Sequence, residues 1–355
     1  MGKLLIFLVS TRVILFASLL VANGHFSASV YGERWDGNSY RFIAQNGYQS
    51  QGNEGSEFIV FLPLYPALLK LVNFTDFPTE VVAFIVSNIF FVAGGLVLFK
   101  LLLLDYNTSF AKKVVVFLAV FPTSYFFSVG YPESLFLFTT VAAFYFTRNN
   151  NFLLGFVFAG LAAITRPTGI LLFPALLYLA IRSKSNKALV LVSSLLGIIF
   201  PIYYLLTNYK LNHSFLSFTY FLTSFWQKSF DFPWGGIIKS FKLTTYQDWD
   251  FYQKVTVGIS EGTASVAGWV LVFYALVKRL RINFAYSIFT LLSVLLFTST
   301  GFILSAPRYL LSAFPLFIIL TFILKNKLLM FLWLTISCLL LLFYNNAFYN
   351  GRWAF

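Results

Sequence analysis

Residues 78–104 read PTEVVAFIVSNIFFVAGGLVLFKLLLL, and this stretch decides the fold class. A helix needs about 20 mostly apolar residues to cross the hydrocarbon core of a bilayer. The charged side chains of the run, Glu80 and Lys100, stand near its two ends. The stretch therefore predicts a membrane-spanning helix. The whole chain has the matching composition, with 59% hydrophobic and 10% charged residues, whereas soluble proteins carry about 25% charged residues.

Similar apolar runs recur along the chain and predict an all-α, polytopic membrane protein whose 355 residues form a single domain. The first run contains Arg12 and lacks a small-x-small cleavage site, so it is expected to be an uncleaved helix rather than a signal peptide. About eleven spanning helices are predicted, near residues 4–22, 78–104, 112–129, 132–147, 151–165, 167–182, 188–207, 259–277, 283–302, 309–324 and 328–344.

The lysine and arginine residues predict the orientation, because positive charges stay on the cytoplasmic side of short loops. With the N-terminus inside, the inner connectors carry 13 Lys and Arg residues and one acid, Asp105, whereas the outer segments carry 11 of each sign. This orientation predicts two large outer loops, at 23–77 and 208–258. The odd number of spans puts the C-terminus outside. Within the first loop, the apolar segment 58–72 is short and contains two prolines, so it is expected to lie in the interface or to re-enter the membrane.

Composition also excludes several functions. The net charge of +13 does not indicate nucleic-acid binding, because the basic residues are scattered singly between apolar runs. The two histidines, His25 and His213, cannot form a multi-histidine metal site, and Cys338 has no partner for an internal disulfide.

Acidic residues at the outer face are the first candidates for chemistry. Asp36 follows Trp35 in the first loop, where a partly dry carboxylate could take a proton from a sugar hydroxyl, or could simply cap a short helix beginning at Gly37. Glu133 follows Tyr131 and Pro132 at a membrane boundary. It could bind substrate, or it could begin a helix and complement the helix dipole.

The second set of candidates consists of arginines and aromatic residues in later outer segments. Arg166, beside Pro167, and Arg308, after Pro307, could each hold a lipid phosphate or could snorkel to ordinary headgroups. In the loop 208–258 the aromatic residues could stack on a sugar ring or anchor the loop at the interface. Asp248 and Asp250 could bind a divalent ion, although a solvated acidic loop is the commoner arrangement.

At these residues the chain resembles the PIG-V-like family, which is related to the second mannosyltransferase of GPI-anchor synthesis and belongs to the GT-C class of membrane glycosyltransferases. The matching strings occur in the family's order and cover most of the chain. They are RWDGNSYRFIAQNGY (34–48), FLPLYP (61–66), FPTSYFFSVGYPESLFLF (121–138), AGLAAITRPTGILL (159–172), FWQKSFDFPWGG (225–236) and FYNGRWAF (348–355).

The resemblance implies a GT-C-like helical bundle and an inverting transfer of a sugar, typically mannose, from a polyprenyl- or dolichyl-phosphate carrier to an acceptor hydroxyl at the non-cytoplasmic face. It implies that Asp36 is the general base, with no essential divalent metal. Arg166 and Arg308 then become candidates for the carrier phosphate, and Glu133 for sugar hydroxyls or for orienting Arg166. The remaining predicted substrate-binding residues are Trp35, Tyr131, Gln227 and Trp234.

The expected partners are the lipid-linked donor, a glycan or glycolipid acceptor and membrane lipids; a membrane partner subunit is left open. The membrane would be the plasma membrane in a prokaryote, with a cell-wall glycan, glycolipid or protein as acceptor, and the endoplasmic reticulum in a eukaryote. Two other functions are weighed: a lipid-linked-sugar flippase or transporter, and a non-catalytic subunit of an enzyme complex. Transporter sites lie near the bilayer midplane, whereas the acids here cluster at one surface.

Overall fold

The computed structural model describes residues 1–73 and 77–355, so Asp76, one of the predicted outer acids, lies outside the described residues. Within them the chain is helical, with an isolated β-bridge between Phe230 and Thr300 and no strand. The helices are α1 Gly2–Asn23, α2 Ala28–Glu33, α3 Asp36–Asn46, α4 Leu64–Val72, α5 Thr79–Leu102, α6 Thr108–Ala119, α7 Glu133–Arg148, α8 Phe152–Ala163, α9 Leu172–Arg182, α10 Lys187–Asn212, α11 Ser217–Trp226, α12 Gly235–Leu243, α13 Phe251–Gln253, α14 Ser260–Val277, α15 Phe284–Thr298, α16 Ala306–Ser312, α17 Pro315–Ile323 and α18 Lys327–Tyr349.

The polytopic, all-helical class is confirmed, but the predicted number of eleven spans is not. In the described part of the chain, five helical segments are long and apolar enough to cross a membrane, or six if α16 and α17 together form one bent span. The five are Gly2–Asn23, Thr79–Leu102, Lys187–Asn212, Phe251–Val277 and Lys327–Tyr349. Three shorter apolar helices are Phe152–Ala163, Pro167–Arg182 and Phe284–Thr298.

Two of the predicted spans are interrupted. The predicted helix 112–129 ends at Ala119, and a short 3-10 turn follows at Ser124–Phe127. The 12 residues of α6 rise about 18 Å, well short of the roughly 30 Å of a bilayer core. The predicted helix 309–324 bends by 93° between α16 and α17, where Pro315 cannot donate a backbone hydrogen bond. Apolar composition alone does not reveal these breaks, because the chain stays apolar across them.

By its contacts the chain divides into two compact units. The first contains Met1, 27–101 and 126–226, and the second contains 2–26, 102–125 and 227–355. That the 355 residues form one domain stays a prediction.

In the first unit, small residues bring helices into close contact. Gly160 of α8 and Gly197 of α10 each face the backbone of the other helix, so a larger side chain at either position would force the helices apart. The predicted interfacial segment forms a 3-10 turn at Ser56–Val60 followed by α4. Its residues pack in a buried cluster with Tyr40 of α3, which fixes the first large loop against α5.

In the second unit, Arg12 of α1 satisfies the end of the interrupted helix α6. Arg12 is 3% exposed, and its guanidinium donates hydrogen bonds to the carbonyl oxygens of Ala119 (2.7 Å) and Ser124 (2.8 Å). The last carbonyls of a helix have no partner within it, and a cation is favourable at this end of the helix dipole. Arg12 therefore allows α6 to stop inside an apolar region.

Replacing Arg12 with Met should lower the thermal unfolding temperature of the detergent-purified protein. Two buried carbonyl oxygens lose charged donors, and each such hydrogen bond contributes about 1.5–3 kcal/mol. Lys3→Met removes one positive charge from the exposed start of the same helix and serves as the matched control. Equal unfolding temperatures for the two variants would contradict the capping role of Arg12.

Candidate functional site

The turn before α3 holds Asp36 in an unusual backbone setting. Trp35, the N-cap residue of α3, has φ 50°, which is rare for a bulky side chain and persists only where its surroundings impose it. The hydroxyl of Tyr131 donates to the carbonyl of Arg34 (3.1 Å) and accepts the backbone N–H of Asp36 (3.0 Å). One phenol therefore bridges the backbone on both sides of Trp35.

The position of Asp36 differs from the helix-cap interpretation. That interpretation makes Asp36 the N-cap of a helix beginning at Gly37, whereas α3 begins at Asp36 itself and its N-cap is Trp35. The Asp36 side chain is partly exposed, and Trp35 beside it is 48% exposed. Both side chains are therefore accessible to a ligand.

Glycines allow the segment containing Tyr131 to approach the first loop. The N–H of Gly130 donates to the carbonyl of Tyr31 (2.9 Å). A Cβ on Gly130 would lie 2.7 Å from the carbonyl oxygen of Gly32 and 2.8 Å from its Cα. Gly37 also faces the Gly32 carbonyl, with the Tyr131 ring 3.5 Å from where its Cβ would be. Three glycines thus make the backbone contact that brings the Tyr131 hydroxyl to Asp36.

Tyr65 of the FLPLYP string links the same two segments from the other side. Its hydroxyl lies within hydrogen-bond distance of the carbonyl of Ala83 (3.2 Å) and of the hydroxyl of Ser87 (2.9 Å), and the Ser87 hydroxyl lies 3.4 Å from the Tyr131 carbonyl oxygen. Burial raises the pKa of the Tyr65 hydroxyl, which keeps it a neutral donor. The Tyr65 ring packs edge-on against Tyr40 of α3, with centroids 5.3 Å apart.

Glu133 and Arg166 form a buried ion pair. Glu133 is the first residue of α7 and is 1% exposed, and Arg166 is 7% exposed. A guanidinium nitrogen of Arg166 donates to a carboxylate oxygen of Glu133. Of the roles weighed for Glu133, orientation of Arg166 has this contact in its favour. Because the pair carries no net charge, Arg166 is a weaker candidate for binding phosphate than its sequence setting indicates.

Four of the strings that carry the family resemblance meet in the first unit. The N–H of Leu64 donates to the carbonyl of Ile164 (2.9 Å), which joins FLPLYP to the residue before Thr165 and Arg166. The contacts of Tyr131 and Tyr65 join the other two strings. These segments were all predicted at the outer face, and their contacts agree with a common side, although the orientation itself stays a prediction.

Arg308 lies in the second unit, in a turn held by an acid that sequence reasoning did not select. The buried carboxylate of Glu261 in α14 accepts the backbone N–H groups of Ser305 (2.7 Å) and Ala306 (2.5 Å). Thr123 donates from its hydroxyl to the carbonyl of Pro307 (3.0 Å). Arg308, 7% exposed, therefore stands on a fixed backbone.

The remaining predicted residues also belong to the second unit. Gln227 is exposed and has φ 53°, while the exposed ring of Trp234 stacks on Phe232 with centroids 5.7 Å apart. Asp250 is the N-cap of α13 and accepts the N–H of Gln253 (2.7 Å), which gives it a structural use. In the described residues no three His, Cys, Asp or Glu side chains are grouped so that they could hold a metal ion.

Sequence reasoning missed Glu261, Lys228 and the backbone-bridging role of Tyr131. Glu261 carried a usable signal, since an acid inside an apolar run is costly unless it is paired or functional. Lys228, which contacts Tyr309, lies in the string FWQKSFDFPWGG but was not selected as a site residue. No protein-family model, curated protein or solved structure matches this chain.

Tyr131→Phe should loosen the turn at Trp35 without unfolding the protein, because the glycine contacts remain. Loss of both hydroxyl hydrogen bonds, at about 1 kcal/mol each, should speed backbone hydrogen exchange in residues 34–38 about tenfold or more. Tyr220→Phe, at an exposed tyrosine of α11, is the control. Unchanged exchange in Tyr131→Phe would show that the turn does not depend on the hydroxyl.

The buried pair predicts a non-additive effect on stability. Arg166→Met leaves the Glu133 carboxylate buried without this counter-ion, which is expected to lower the free energy of unfolding by about 3–5 kcal/mol. The double variant Glu133→Gln/Arg166→Met removes both charges and should unfold at a higher temperature than Arg166→Met alone. Thermal unfolding in detergent gives the unfolding temperatures of the single and double variants. If the double variant loses as much free energy of unfolding as the single variants Arg166→Met and Glu133→Gln lose together, the two side chains are not energetically coupled.

Proposed function

We propose that this protein is a membrane glycosyltransferase of the GT-C type, with mannose as the expected sugar. It would transfer the sugar from a polyprenyl- or dolichyl-phosphate carrier to an acceptor hydroxyl at the non-cytoplasmic face. The observation that carries the proposal is that four resemblance-bearing strings contact one another in the first unit, where Tyr131 holds the backbone on both sides of Trp35, next to the partly exposed Asp36.

The proposed reaction uses the Asp36 carboxylate as a general base. It accepts the proton of the acceptor hydroxyl while that oxygen forms a bond to the anomeric carbon of the donor sugar. The bond between the anomeric carbon and the phosphate oxygen breaks, and the lipid phosphate leaves with the electron pair. Attack opposite the leaving group inverts the configuration at the anomeric carbon. The protein's contribution is to position the base and the reacting hydroxyl.

Two further features of the first unit support this use of Asp36. Trp35 projects next to the carboxylate with 48% of its surface exposed, so its ring is available for apolar contact with a sugar. The strained backbone at Trp35 is of the kind that is retained at functional sites. In this proposal the ion pair of Glu133 and Arg166 stabilises the first unit and does not take part in proton transfer.

The test is transfer by purified protein from polyprenyl-phosphate mannose to total membrane lipids, with products identified by mass spectrometry. Asp36→Asn keeps the size of the side chain but removes the basic oxygen, so transfer should fall at least about a hundredfold, the lower limit for general-base catalysis. Glu33→Gln makes the matching change at an exposed acid of the same loop and should keep wild-type activity.

Full transfer by folded Asp36→Asn would exclude Asp36 as the base. If the wild-type protein instead moves the labelled carrier lipid across vesicles without an acceptor, the transporter alternative is favoured. Transfer that requires a second membrane protein would indicate that the chain is a subunit of a larger enzyme.

A further inference from the structure

The helix α12 places its small side chains toward the protein and its large apolar side chains away from it. Its buried residues repeat at helical spacing, and they are Gly236, Ser240 and Leu243. The N-cap residue Trp234, with Ile238 and Phe241, follows the same spacing on the opposite face, and these three are 61%, 51% and 39% exposed. A surface helix in water has the reverse arrangement, with charged and polar residues on its exposed face.

Close packing against α14 and the turn before it fixes the direction of this exposed face. A Cβ on Gly258 would lie 2.6 Å from the methyl group of Thr244, the C-cap residue of α12. A Cβ on Gly262 of α14 would lie 2.7 Å from the ring of Phe241. The helix α12 is therefore held against the first part of the candidate span Phe251–Val277.

The most exposed apolar residues of that span lie on one face. They are Ile259, Val266, Val270, Phe273 and Val277, which are between 41% and 77% exposed. Steps of seven, four, three and four residues place these side chains in a single stripe, which faces lipid if the helix crosses the membrane. Gly262, under the ring of Phe241, lies at the edge of the stripe because it stands three residues after Ile259 and four before Val266. The apolar face of α12 therefore adjoins the lipid-facing surface of the span.

We propose that α12 and residues 230–234 before it bind the phospholipid interface of the membrane, with their apolar face at the boundary between headgroups and acyl chains. Phe230 and Phe232 are 87% and 69% exposed and extend this face along the segment before the helix. The β-bridge between Phe230 and Thr300 anchors that segment. An apolar helix face rich in aromatic residues is typical of helices that lie in the plane of the interface.

The lysines of α12 fit the same location. Lys239 and Lys242 are exposed, and their spacing from Ile238 puts both on one flank of the helix, between the apolar face and the buried face. From this flank a lysine can hold its ammonium at the level of the headgroup phosphates while its methylene groups cover apolar surface. Both the apolar and the charged side chains of α12 therefore match a phospholipid surface.

The chemistry of the face favours lipid over a sugar. Of its five large side chains, only Trp234 has a polar atom, the indole N–H, whereas the hydroxyls of a bound sugar require several hydrogen-bond partners. In this assignment Trp234, which was predicted to bind substrate, contacts the membrane. The inference concerns a surface of the second unit and does not depend on the proposed function.

The test measures the depth of a nitroxide label at position 238 in full-length protein reconstituted in phosphatidylcholine–phosphatidylglycerol nanodiscs. The labelled protein carries Ile238→Cys together with Cys338→Ser, which removes the single native cysteine. Oxygen concentrates in the bilayer, so the ratio of oxygen collisions to collisions with a water-soluble nickel chelate should be high. Gln247→Cys, at an exposed polar position after α12, is the control. The ratio at 238 should be several times the ratio at 247.

Equal ratios at the two positions would overturn the proposal, because the face would then lie in water. Low collision rates with both reagents at position 238 would also overturn it, since a second copy of the chain or another protein would then cover the face. Nickel collisions at 238 that disappear only when polyprenyl-phosphate mannose is added would assign the face to substrate instead.

Wild-type protein provides a second measurement without any substitution. Photolabelling in nanodiscs with phosphatidylcholine that carries a diazirine near the glycerol end of an acyl chain should modify peptides containing residues 230–243. Peptides containing residues 245–250 should be modified several times less. Equal modification of the two segments, measured by mass spectrometry, would contradict a location of α12 in the interface.

Discussion

Backbone polar groups at the breaks between helices must find partners inside the protein, because hydrocarbon offers none. This constraint explains why single polar side chains recur at the interruptions of this fold. The Arg12 guanidinium donates to carbonyl oxygens at and just after the end of α6. The Tyr131 hydroxyl bonds to the backbone on both sides of Trp35, and the Glu261 carboxylate accepts N–H groups at the start of α16. In each case one side chain from elsewhere in the chain allows an irregular segment to persist. One of these segments, the turn before α3, contains Asp36, the residue proposed to act as the base.

The long spans could be predicted from the sequence, whereas the interruptions could not. The helices α1, α5, α10 and α18 follow from apolar runs of sufficient length and begin or end within a few residues of their predicted limits. The end of α6 does not, because its capping partner Arg12 lies 107 residues from Ala119. A hydropathy pattern contains no information about such a pairing. The predicted count of eleven spans is not confirmed, and a break of this kind is one reason.

The site was predictable to a similar extent. The resemblance-bearing strings pointed to Asp36, Glu133 and Arg166, and the structure brings their segments together in one unit. The side chains that hold these segments in place were harder to predict from the sequence. Tyr131 was predicted to bind substrate, yet its hydroxyl contacts backbone atoms of Arg34 and Asp36. A hydroxyl that acts on the backbone has no sequence pattern of its own, because any hydroxyl at that point in space would serve.

Arg166 and Arg308 have similar sequence settings, but the buried acid near each of them has a different role. Both stand beside a proline in a segment predicted to be outer, and both are 7% exposed. Arg166 has a carboxylate as its direct partner, so a phosphate placed beside it would face Glu133 and gain little attraction. The turn of Arg308 has a carboxylate too, but Glu261 directs both oxygens to backbone N–H groups. A buried acid therefore pairs with the arginine side chain in the first unit and holds the backbone beside the arginine in the second.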